Sequence, residues 1–171
     1  MKVRIVLFRG TDFISKWIRK NAQWMFSIPY EKTFSHVGFL FGDEIMEARP
    51  SKGVSIRNIS ELTEKVWIYE YAEEIESLHK LREVCNLELG KGYDFMGVLG
   101  FVYIFKPLAN INRWFCSEFV IGMMRKCGVP VLGEAAAYKV SPTVLLLSTA
   151  WRLVYERDAQ GRRAKDTEIG G

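Results

Sequence analysis

An α+β domain built on a mostly antiparallel sheet is the fold class that this sequence of 171 residues predicts, on three observations. Short segments rich in β-branched and aromatic residues follow one another between residues 34 and 71, divided by turn residues, as in a meander. Stretches with helical periodicity lie before and after them instead of alternating with them. The composition, 49% hydrophobic and 26% charged, is that of a globular chain of one-domain length. The expected domain covers residues 1–157, and the polar end 158–171 (DAQGRRAKDTEIGG) reads as a flexible tail.

Residues 3–8 read as a short buried strand. Thr11 or Asp12 can cap a helix whose apolar face runs Ile14, Trp17, Ile18, Ala22 and Met25, with Lys16, Arg19 and Lys20 on the other face. Residues 34–41 and 44–48 form a hairpin around Gly42 and Asp43. Strands follow at 53–59 and at 66–71 (VWIYEY). Between 73 and 89 the period becomes helical, with Ile75, Leu78, Leu81, Cys85 and Leu89 along one side, so Cys85 is expected in the core.

The apolar stretch from Phe95 to Phe105 reads as a buried helix ended by Pro107; it is too short for the roughly 20 residues that span a bilayer. A second helix, about 114–126, has Phe119, Val120, Met123 and Cys127 as its buried stripe and Gly128 as its left-handed terminator. Ser141 and Pro142 cap and open a last short helix, and 151–155 is a closing strand.

The formal charge is +4, concentrated near the start, where Lys2, Arg4, Arg9, Lys16, Arg19 and Lys20 face only Asp12 before residue 31. A solvated helix face is the ordinary reading; peripheral membrane or lipid contact is the alternative, and no recognition motif supports nucleic-acid binding. Three cysteines without paired spacing argue against a disulfide framework and against a zinc site, so no metal or cofactor is expected. With no signal peptide or membrane span visible, the expected location is the cytoplasm.

Chemistry concentrates on Cys116 and His36. A thiol attacks as its thiolate, which a helix N-terminus or a neighbouring cation favours, and Cys116 falls in the opening turn of its helix. If Gly42 and Asp43 are the two loop residues of the hairpin, Gly38 faces Glu47, and Glu47 shares a face with His36 as a diagonal neighbour able to orient the ring. A three-residue loop would put Glu47 on the other face. His79 is expected to be simply solvated on its charged helix.

With His36 in SHVGFLFGDEIMEA, Glu47, and Cys116 in FCSEFV in that order, the chain resembles the circularly permuted NlpC-type branch of the papain-like superfamily, related to lecithin retinol acyltransferase. The resemblance runs from FRGTDFISKWI through EARPSKGVSI and GKGYDFMGVLGF to VSP at 140–142. It implies a permuted papain-like fold, Cys116 as nucleophile, His36 as base and acid, Glu47 as third member, and Tyr93 near the oxyanion. It also implies a cysteine peptidase or amidase acting on small peptide or other amide or ester substrates, cell-wall muropeptides among them. Glu47 replaces the second histidine of the acyltransferase relatives and favours the bacterial amidase-like group. Two rivals stay open: an acyl hydrolase or acyltransferase acting on lipid, and a binding module without turnover.

Overall fold

A computed structural model describes residues 2–95, 113–133, 135–137 and 140–157. The protein is α+β, with a mostly antiparallel sheet. Strands β1 (Lys2–Phe8), β2 (His36–Phe41), β3 (Glu44–Arg49), β4 (Gly53–Asn58), β5 (Val66–Glu74) and β8 (Trp151–Arg157) form a six-stranded sheet in the order β4-β3-β2-β1-β5-β8. Every pairing in it is antiparallel. Two short strands, β6 (Gly92–Tyr93) and β7 (Arg113–Trp114), pair in parallel beside it. The expected helix of 95–105 lies, beyond Phe95, outside the described residues, as does the tail.

Alternation along β1 shows how the sheet is covered. Val3, Ile5 and Leu7 point into the larger apolar cluster, together with Val37, Phe39 and Met46 from β2 and β3. Val6 and Phe8 point the other way, into a smaller cluster with Ile45, Leu62, Val66 and Ile68. Helix α3 (Cys116–Lys126) lies on the first face, its Phe119 edge-on to Phe39 at 5.9 Å between ring centres. Phe39 and Phe119 are wholly buried, each contributing roughly 1.5–3 kcal/mol of apolar transfer.

Helix α1 (Phe13–Phe26) begins where Asp12 accepts a hydrogen bond from the Ser15 amide, the cap expected of it. Ile18 and Ala22 face inward and Trp17 is half-buried, but Ile14 and Met25, expected on the apolar face, are exposed. They lie in the first and last turns, beyond the central part of the helix that Ile18 and Ala22 seat on the core. Helix α2 (Leu78–Asn86) is shorter than the expected 73–89: β5 runs on to Glu74, and Ser77 caps the helix through the Lys80 amide. Ile75 is therefore buried ahead of the helix, and Leu89, beyond its end, is exposed.

Helix α3 ends on Cys127, with Gly128 left-handed at φ 79°. Ser141 caps the short helix α4 (Pro142–Leu145), with Pro142 in its first turn. Among the described residues no helix is long and apolar enough to cross a membrane.

Candidate active site

Strand pairing brings the first two chemical groups together. Phe41 pairs with Glu44 across the two-residue turn, Leu40 with Ile45 and Phe39 with Met46. The register continues to Gly38, where a β-carbon would sit 2.8 Å from the Glu47 β-carbon, so glycine is what lets the strands close there. Glu47 accordingly lies on the His36 face, and its Oε2 is 2.6 Å from His36 Nε2. The carboxylate is fully buried, and only 16% of the His36 side chain is exposed.

Glu47 has a second partner that sequence reasoning missed. Arg57 on β4 places Nε 2.5 Å from Glu47 Oε1, and its Nη2 donates to Oε2 at 3.3 Å. Arg49 Nε is 3.5 Å from Oε1. The legible signal is the β3–β4 register: Glu47 pairs with Ser55 and Ile45 with Arg57, so Arg57 is a same-face diagonal neighbour of Glu47. The Arg57 guanidinium also lies 5.0 Å over the Phe8 ring, which in turn packs 5.4 Å from the His36 ring.

Burial works against charge on Glu47, but His36 and then Arg57 prevail and hold its carboxyl below the ordinary range.

The thiol arrives from the other side of the sheet end. Cys116 is the first residue of α3, and its Sγ lies 4.0 Å from the Ser35 carbonyl oxygen, next to His36. Its charge acts on the imidazole, and with Nε2 turned to Glu47, Nδ1 is the nitrogen left to face sulfur. Burial alone would lower the His36 pKa. Negative charge at Cys116, then the Glu47 carboxylate and its hydrogen bond outweigh it and hold the imidazolium at about 10.

The helix start is tied down on several sides. The Ser117 hydroxyl donates to the Val140 carbonyl, and Trp114 packs over Gly122, where a β-carbon would fall 2.9 Å from the indole. Glu88 accepts from Trp114 Nε1 at 2.6 Å and from Lys126 Nζ at 2.8 Å, with Lys91 Nζ at 2.7 Å. On the histidine side, Thr143 Oγ1 accepts from the Phe34 amide at 2.8 Å and donates to the Phe34 carbonyl. The VSP segment and Thr143 thus hold both the Cys116 and the His36 segments, and no motif in the sequence announces Thr143.

Tyr93 reaches the site through the parallel pair, where it stands opposite Trp114, two residues before Cys116. The turn ahead of it is fixed by Val54, whose amide donates to the Lys91 carbonyl at 2.8 Å and whose carbonyl accepts from the Gly90 amide at 2.9 Å. Tyr93 is buried; that burial, reinforced by negative charge at Cys116, pushes its hydroxyl well above the usual range, so it stays a proton donor. One turn into the Cys helix, burial and then Asp94 raise the Glu118 carboxyl to about 7, against a hydrogen bond from the Phe115 backbone.

A cleft of about 330 Å³ opens onto this centre, lined by Phe8, Asp12, Ser35, His36, Arg57 and Tyr93 among others. The other thiols are elsewhere: Cys85 is sealed in the core, its thiol raised by burial, and Cys127 is half-buried at the far end of α3. His79 is exposed on α2, 3.5 Å from Glu83. Among the described residues no cluster of His, Cys, Asp or Glu is placed to hold a metal ion.

Compared with protein-family models and with curated proteins, the sequence matches none.

Proposed function

We propose that the protein is a cysteine hydrolase of amide bonds, with a permuted papain-like fold and a Cys116–His36–Glu47 triad. The observation that carries this reading is the continuous path of contacts from Cys116 through His36 to Glu47, opening onto a cleft, while the remaining thiols and His79 lie outside it. His36 takes the Cys116 proton and sulfur attacks the substrate carbonyl. The unpaired amides at the start of α3, with the Tyr93 hydroxyl, face the developing oxyanion. The C–N bond breaks as His36 returns its proton to the leaving amine, leaving a thioester. Water then adds to the thioester carbon, giving a proton to His36, and the Cys116 sulfur departs with that proton. Glu47 keeps the imidazole oriented throughout and stabilises it whenever it carries the proton. A short peptide is the proposed substrate class.

Alkylation by limiting iodoacetamide at about pH 6 tests the reading. Cys116 is 1% exposed whereas Cys127 is only half-buried, so access alone would favour Cys127. Faster labelling of Cys116, slowed by His36→Ala, is the expected result of an activated thiol. Preferential labelling of Cys127 would overturn it. Release of amine from short peptides, set against hydrolysis of fatty-acyl thioesters, then reads the substrate class.

A further inference from the structure

The outward side of α1 has no part in the triad. Ile18 and Ala22 are its buried residues, and directly opposite them run Phe13, Lys16, Lys20 and Trp24, spaced three, four and four residues apart along one line. Phe13 is 83% exposed and Trp24 81%. At 1.5 Å per residue the two rings stand roughly 16 Å apart, with both lysines between them.

The charge on this side is wholly positive. Residues 13–26 include no acidic residue, and Asp12 is engaged as the cap. Arg19 is turned inward, its guanidinium 4.0 Å over the Tyr30 ring and bonded to Thr33 and the Tyr30 carbonyl, so the outward cations are Lys16 and Lys20. Single exposed apolar residues are ordinary. Two aromatics in one line, separated by lysines and free of acids, match what the boundary of an anionic bilayer selects: indole and phenyl rings at headgroup level and ammonium groups against lipid phosphates.

We propose that α1 docks the protein on an anionic phospholipid surface, Phe13 and Trp24 entering the headgroup layer and Lys16 and Lys20 meeting the phosphates. The opposite side of the same helix forms a wall of the cleft, through Ile14, Ser15 and Ile18. This inference is independent of the catalytic reading, and its test involves no turnover.

The test is co-sedimentation of the full chain with vesicles of equimolar phosphatidylcholine and phosphatidylglycerol, against vesicles of phosphatidylcholine alone. Binding is expected to the first only, weakening with added salt. Lys16→Gln with Lys20→Gln is expected to weaken it about thirty-fold, from roughly five-fold per lysine at an anionic surface. Phe13→Ser with Trp24→Ser is expected to weaken it about tenfold or more. All four side chains lie on the outward line, and unchanged circular dichroism would verify that both variants fold. Wild-type protein left in the supernatant, equal binding to both vesicle types, or undiminished binding by either variant would overturn the proposal. So would a concentration-dependent dimer abolished by Trp24→Ser, which would assign the stripe to a second copy of the chain.

Discussion

Replacing Glu47 by glutamine removes one buried charge from the site while keeping its shape. His36 holds its proton up to about 10 against an ordinary 6.5, a preference of roughly 5 kcal/mol for the imidazolium. A charge-assisted hydrogen bond to a buried carboxylate supplies about 1.5–3 kcal/mol of such a preference, so Glu47→Gln should lower the His36 midpoint by about 1–2 units. Because the folded value exceeds the unfolded one, the His36 contribution to stability is fully present below about 6.5 and disappears as pH rises through about 10. In the variant the loss still begins near 6.5 but is smaller and complete at lower pH.

The assay is an NMR titration of the imidazole resonances. The chain has only two histidines, and His79, exposed on α2, serves as an internal reference. The variant also leaves Arg57 without its closest carboxylate, with Glu64 3.8 Å away as the remaining acid, so a stability loss of about 3 kcal/mol in urea is expected. A folded variant whose His36 midpoint does not move would refute the assignment of Glu47 as the group that holds the imidazolium.

Arg57→Gln acts on the same carboxylate from its other side. Glu47 titrates below its ordinary value, so its stabilising contribution is present above about 4.5 and is lost as pH falls through the depressed value. Without Arg57 the carboxyl value moves back toward 4.5, so the loss, which begins near 4.5 in both proteins, is smaller and ends at higher pH, read as a shallower fall in urea midpoint between about pH 5 and about pH 3; a superimposable profile would show that the guanidinium does not support the carboxylate. Gly38→Ala brings a β-carbon to 2.8 Å from the Glu47 β-carbon and 2.9 Å from Ile45 Cγ2, which the strands relieve only by parting. A loss of about 1–3 kcal/mol in thermal or urea unfolding is expected, together with slower Cys116 alkylation as Glu47 is displaced from His36.

Periodicity and turn chemistry determined the local structure. The Gly42–Asp43 turn fixed which face Glu47 occupies, because side chains alternate with period two and the loop length sets register. Asp12, Ser141 and Gly128 marked helix ends through their own hydrogen-bonding and backbone preferences. The α2 boundary was misplaced because Ile75 and Leu89 fit the helical period while the backbone around them does other things: Glu74 still belongs to β5, and Ser77 offers a cap. Residue type and position, together with the resemblance that their order carries, singled out Cys116, His36 and Glu47 as candidates.

Long-range order did not follow from such signals. Nothing local says that β1 lies between β2 and β5, or that β4 borders β3 so as to bring Arg57 to Glu47. Nor does any motif tie Thr143 to the Phe34 backbone. These relations join segments far apart in the chain, and close packing of two apolar faces on one sheet selects them. The sequence by itself determined the candidate groups and the hairpin that pairs two of them. Tertiary structure decided that the thiol meets them, since only the seating of α3 on the Phe39 face carries Cys116 to the end of β2.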